Sequence, residues 1–159
     1  MKLENFKNGY DVTNGSLLAL NEKNDCSVRA LANAFSVTYD VAHLFAATKL
    51  ERKARKGLRG MFSKLDLLGE VSFELFTNTL FPETKTYKLE GKLKPINSDY
   101  THKKVQYTVK TFCSKFNKGT YIVIVNKHAL TVKDGIVIDN PNYKFEGYRR
   151  IVESYFKVS

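Results

Sequence analysis

Hydrophobic residues along this chain change their spacing partway through. From Cys26 to Phe35 the apolar positions Val28, Leu31, Ala32 and Phe35 fall at i, i+3, i+4 and i+7, the repeat of one helical face. Thr38 is suited to cap a second helix, expected to run to about Lys49 with Val41, Leu44 and Phe45 inward. Met61, Leu65 and Leu68 predict another, stopped near Gly69. A further helix is expected from about Val105, on Val109, Phe112, Cys113 and Phe116, with Asn117-Lys118-Gly119 as its stop. Beyond that point the pattern becomes that of strands. Thr120 to Val125 and His128 to Val132 are β-branched and aromatic runs, Asp134-Gly135 is a hairpin turn, and Ile136 to Asp139 returns antiparallel. Arg150 to Val158 predicts a closing strand.

Elsewhere the pattern is weaker. The first twenty residues read as irregular, punctuated by Asn8-Gly9 and Asn14-Gly15. Thr84 to Leu89 alternates weakly, as an edge strand would, and Gly91 to Tyr100 reads as loop; residues 71 to 106 otherwise have no clear period. Helices first and an antiparallel sheet last predict an α+β domain. One domain is expected over residues 1–159, helical over about 20–117 and β-sheet over about 118–159.

Composition narrows the class. With 43% hydrophobic and 26% charged residues, the chain is globular in type and long enough to bury roughly two-thirds of its unfolded surface. Its longest uninterrupted aliphatic and aromatic run, Tyr121 to Val125, is far too short to span a bilayer. The polar stretch Met1 to Gly15 has no apolar core of a secretion signal, so no membrane partner and a cytoplasmic location are expected. Two cysteines do not make a disulfide framework. No C-x-x-C and no paired histidines occur, so no metal is expected. Neither a glycine-rich phosphate loop nor a dinucleotide fingerprint is present, and no cofactor is expected.

The formal charge of +10 favours an acidic partner. Six basic residues and one acidic residue lie between Lys49 and Arg59. Arg52, Lys53, Arg55, Lys56 and Arg59 are the candidate partner-binding residues, for an acidic protein, an acidic peptide or nucleic acid. No aromatic residue interleaves these cations, which disfavours stacking on single-stranded bases.

The candidate chemistry centres on Cys26, which opens the first helix after Asn24-Asp25. A thiolate is the nucleophilic form of cysteine, and a helix N-terminus favours it through unpaired N–H groups and the helix dipole. Asp25 is a candidate N-cap, and the Cys26 amide is a candidate donor to an oxyanion. A cysteine nucleophile needs a base and an orienting group for that base, and the β-rich tail offers His128 and then Asp139. If Asp134-Gly135 is a two-residue loop, Val132 pairs with Val137 and Asp139 lies diagonal to His128 on the same sheet face. A three-residue loop instead sets Asn140 opposite His128. The Asp-Gly turn favours Asp139. His43, mid-helix, reads as a surface residue, His102 as a loop residue and Cys113 as core.

Together the segments Asn24-Asp25-Cys26-Ser27-Val28-Arg29-Ala30-Leu31, Tyr121 to Val132 and Asp134 to Asp139 resemble the papain-like cysteine peptidase superfamily, and within it small phage-encoded or bacterial members opening with Asn-Asp-Cys. The resemblance implies a helical lobe carrying Cys26 packed on a sheet lobe carrying His128 and Asp139. It implies a hydrolase that cleaves a peptide or isopeptide bond of a protein substrate, in the host cytoplasm if the chain is phage-encoded. Papain-like enzymes place a glutamine oxyanion donor six residues before the cysteine, and here that position is Leu20. Asn24 or Asn21 is the candidate replacement. The alternative is a weakly active or inactive scaffold that binds an acidic host protein or nucleic acid through its basic surface.

Overall fold

The computed structural model describes residues 6–75, 83–93, 107–139 and 149–159. The helix predicted from its apolar repeat forms as α2 (Cys26–Phe35), after a short α1 (Leu17–Leu20). Val28, Leu31, Ala32 and Phe35 are all buried, but so are Ser27, Arg29, Ala30 and Ala34. Helix α2 is therefore packed on nearly every side. Ser36 ends it in the left-handed conformation, with its N–H on the Ala32 carbonyl. Thr38 caps α3 (Tyr39–Lys49), its hydroxyl accepting from the Val41 amide at 3.3 Å. The buried residues of α3 are Tyr39, Ala42, Phe45 and Ala46, while Leu44, expected inward, is exposed. Small Ala42 and Ala46 hold the inward stripe because α3 lies close against α2. Helix α4 (Met61–Leu68) stops at Gly69, which has a φ of 62°.

A mixed seven-stranded sheet completes the domain among the described residues, making it α+β. Its strands are β1 (Phe6–Asn8), β2 (Glu70–Leu75), β3 (Glu83–Leu93), β4 (Thr120–Val125), β5 (His128–Lys133), β6 (Ile136–Asp139) and β7 (Ser154–Val158). They lie in the order β1-β6-β5-β4-β7-β3-β2. Only the β1–β6 pair is parallel.

The sheet corrects several expectations. Three of its strands precede residue 118, so a division into a helical part and a later sheet part does not hold. Residues 6–20, expected to be irregular, are ordered: β1 is followed by a 3-10 turn at Gly9–Thr13 and then by α1. The 84–89 segment lies in the longer β3, which pairs with β2 over Glu83–Lys88 and with β7 over Leu89–Leu93. Gly91, read as loop, belongs to β3. The helix expected from about Val105 is α5 (Val109–Lys115), capped by Thr108. The closing strand is shorter than expected and begins at Ser154.

Strand β4 lies between two cores. Ile122 packs with α2, α3 and α4, whereas Tyr121, Val123 and Val125 pack with Val109 and Phe112 of α5. Both faces are buried, so its sequence TYIVIV is a continuous apolar run rather than an alternating one. A buried polar contact joins α2 to the sheet: the Thr131 hydroxyl donates to the Ala30 carbonyl at 2.8 Å. These contacts fix the N-terminus of α2 relative to β5. No helix among the described residues is long and apolar enough to cross a membrane.

Candidate active site

Cys26 is the first residue of α2 and is partly buried. Asp25, expected to cap that helix, makes no side-chain capping bond. Its buried carboxylate instead accepts from Arg29 Nε at 3.2 Å and from the Tyr39 hydroxyl at 2.8 Å. Burial and the neighbouring Asp25 charge raise the Tyr39 pKa, which keeps its hydroxyl a donor. The arrangement changes what Cys26 experiences. A carboxylate beside a thiolate would oppose its ionisation, but this one is neutralised from two sides.

The β5–β6 hairpin determines the second partnership. Val132 pairs with Val137 and Lys133 with Ile136, leaving Asp134 and Gly135 as a two-residue loop with φ values of 49° and 75°. This is the geometry that Asp-Gly favours. Thr131 pairs with Ile138, and continuing that register puts Asp139 diagonal to His128. His128 Nε2 lies 2.8 and 2.9 Å from the two Asp139 carboxylate oxygens. Asn140, the alternative orienter, lies outside the described residues, as does His102.

The His128 imidazole also hydrogen-bonds Cys26, and the Ala129 amide donates to the same sulfur. With Nε2 committed to Asp139, Nδ1 is the ring nitrogen left for the thiol. Burial pushes the Cys26 pKa up, but the His128 bond and charge, the Ala129 amide and the Arg29 charge outweigh it, and the pKa is lowered. Burial pulls the His128 pKa down, yet hydrogen bonds and charge from Asp139 and Cys26 raise it to about 9. The two shifts are complementary: they favour a thiolate beside an imidazolium.

Asp139 is held from behind as well. Asn8 pairs with it in the parallel β1–β6 ladder. A Cβ on Gly9 would sit 2.9 Å from the Asp139 Cα, so only glycine allows this approach. The Asn33 side-chain amide spans Gly9 and α2, donating to the Gly9 carbonyl at 3.2 Å and the Arg29 carbonyl at 2.8 Å.

Cys26 and His128 open onto a cleft of about 580 Å3 that is also lined by Tyr10, Leu20, Glu22, Lys23, Asn24, Arg29 and Lys127. Asn24 reaches the cleft with a φ of 54°, its side-chain amide donating to the Arg55 carbonyl at 3.3 Å. Asn21 follows α1 as its C-cap and is exposed, not among the cleft-lining residues. Leu20 lines the cleft and is 79% exposed. The Cys26 amide lies in the first turn of α2, where backbone N–H groups lack intrahelical partners.

The basic segment divides. Arg52 is buried, ion-paired with Glu22, and donates to the Lys23 carbonyl at 3.3 Å, so it is a structural residue and not part of a docking face. Lys53, Arg55, Lys56 and Arg59 are exposed. The Arg55 amide donates to Glu22 Oε1 at 3.0 Å. Glu22 and Asn24 thus pin the basic segment against the cleft wall, and Gly57 lines the cleft itself. His43, expected at the surface, is partly buried with Nε2 3.7 Å from Glu22. The sequence reading missed Glu22, Lys23, Arg29 and Lys127. The available signals were Lys127 directly before His128, and Arg29 one helical turn after Cys26.

No group of histidine, cysteine, aspartate and glutamate able to hold a metal occurs among the described residues. The chain matches no protein-family model, no curated protein and no solved structure.

Proposed function

We propose that this protein is a papain-like cysteine hydrolase that cleaves a peptide or isopeptide bond. The observation that carries the reading is the continuous hydrogen-bonded series from Cys26 through His128 to Asp139 at the mouth of a cleft. The Cys26 thiolate attacks the carbonyl carbon, and the Cys26 amide stabilises the resulting oxyanion. Protonated His128 gives its proton to the departing amine as the C–N bond breaks, leaving a thioester on Cys26. Neutral His128 then takes a proton from water as that water attacks the thioester; the acid departs and the thiolate and imidazolium are restored. Asp139 keeps the ring oriented and stabilises its charged form throughout. Both thiols are unpaired, which suits a reducing compartment such as the cytoplasm.

Site-resolved alkylation across pH tests this reading. Iodoacetamide should label Cys26 well below the pH at which free cysteine reacts, about 8.5. Peptide hydrolysis should be lost in Cys26→Ala, whose circular dichroism should match the unmodified chain. A Cys26 that titrates at or above the free-cysteine value would exclude the mechanism.

A second reading has its own observation: Lys53, Arg55, Lys56 and Arg59 form an exposed cationic segment, and Leu20 occupies the position of the family's side-chain oxyanion donor. A scaffold that binds an acidic protein or nucleic acid there would keep its function in Cys26→Ala and lose it when the four cations are reversed in charge. Steep loss of affinity with salt would mark a nucleic-acid ligand.

A further inference from the structure

We propose that the cleft accepts a substrate with an acidic side chain next to the scissile bond, held between Lys23 and Lys127; this rests on the hydrolase reading and names its substrate class.

The charges lining the cleft carry the argument. Two carboxylates, Glu22 and Asp25, lie among its residues. Both are internally neutralised, Glu22 by Arg52 and the Arg55 amide, and Asp25 by Arg29 and the Tyr39 hydroxyl. Arg29 is used in turn, its guanidinium bonded to Asp25 and lying 4.0 Å over the Tyr10 ring. Lys23 and Lys127 remain. Both line the cleft, both are exposed, and neither ammonium has a partner among the described residues.

Their placement is chemical as well as electrostatic. Lys127 is the second residue of the two-residue turn between Val125 and His128, with a φ of 57°, so its backbone adjoins the imidazole. Lys23 is three residues before the nucleophile, and its carbonyl accepts from buried Arg52. Both cations are thus mounted on backbone that lines the same cleft as the thiol-imidazole pair. Glu22 and Asn24 draw the exposed cations Lys53, Arg55 and Lys56 alongside, extending the positive surface beyond the cleft. A cleft with its anions neutralised and two cations free attracts anionic groups and penalises cationic ones.

The test compares charged and neutral reagents of matched shape on intact protein. The ratio of iodoacetate to iodoacetamide alkylation at Cys26 is measured against the same ratio for N-acetylcysteine. A pair of peptidyl chloromethyl ketones, identical except for Glu or Gln next to the electrophile, is run in parallel. The normalised iodoacetate ratio and the Glu-over-Gln preference should each be raised roughly tenfold at low salt, as expected for two cations a few ångströms from the anion, and should shrink by about 0.5 M salt. In Lys23→Gln combined with Lys127→Asn, which retains a residue tolerant of positive φ, both preferences should fall to within about threefold of the reference. Preferences that persist in the double variant, or that are absent from the unmodified protein, would overturn the proposal while leaving the thiolate reading intact. A Cys26 inert to both small reagents would overturn the thiolate reading, and the proposal with it.

Discussion

The two cysteines place the same functional group in opposite environments. Cys113 lies on the inward face of α5 among Phe112, Tyr121 and Val132, and burial alone pushes its pKa up to about 11. Cys26 is also desolvated, but the His128 imidazole, the Ala129 amide and the Arg29 charge more than offset that effect. Burial by itself therefore makes a thiol inert, and burial beside correctly placed donors makes it reactive. The difference lies in where each helix starts. Helix α2 places its first residue at the end of β5, where imidazole and amide meet it; α5 places Cys113 within an apolar layer.

Breaking the comparison at its strongest point means removing His128. In His128→Ala, Cys26 should lose its main stabilising partner and come to resemble Cys113. Its alkylation at pH 6 should fall roughly ten- to hundredfold, with its apparent pKa moving up. Hydrolysis should fall by about 10²–10⁴-fold. A Cys26 alkylation profile unaltered by that change would show that the helix terminus alone activates the sulfur.

Asp139→Asn sharpens the same contrast with a smaller effect, on the order of a hundredfold in hydrolysis. The His128 pKa stands at about 9 largely through Asp139, so the loss of activity at high pH should move to lower pH in the variant. An alkaline limit that stays near 9 would assign the proton to another group. Gly9→Ala tests the backbone behind Asp139. Because the added Cβ would meet the Asp139 backbone at 2.9 Å, the expected cost is about 1–3 kcal/mol in unfolding free energy, with the alkaline limit again lowered.

The smallest effect is at the other thiol. Cys113→Ala should cost about 1–2 kcal/mol by leaving a small cavity and should leave Cys26 labelling as it was. Its pKa is raised from 9.0 to about 11, so the folded state holds its proton longer than the unfolded chain does. Stability must therefore decline as pH rises from about 9 through about 11, and denaturant melts should show Cys113→Ala without that decline.

The parts of the fold legible in the sequence were those set by local rules. The α2 repeat, the Thr38 cap, the Gly69 stop and the Asp134-Gly135 turn each depend on residues within one or two turns of chain. The hairpin in turn made the choice of Asp139 over Asn140 a matter of counting. Illegible parts depended on distant partners. β1 is three residues long and exists because β6 offers it an edge; nothing in Phe6-Lys7-Asn8 encodes that. β2 was readable in retrospect, since Val71 and Phe73 alternate with Glu70, Ser72 and Glu74 and are buried. Arg52 misled for a related reason. Its neighbours in sequence are exposed cations, and only a carboxylate thirty positions earlier, Glu22, draws it inside.

The β5–β6 hairpin also acts as a ruler. Eleven steps of chain separate imidazole from carboxylate, and the side chains of a strand alternate faces at every step. Sequence drift within Ala129 to Ile138 is tolerable so long as the count is kept. Inserting or deleting one residue there would turn the acid to the opposite side of the sheet, so variants that change length should be far more damaging than those that change identity.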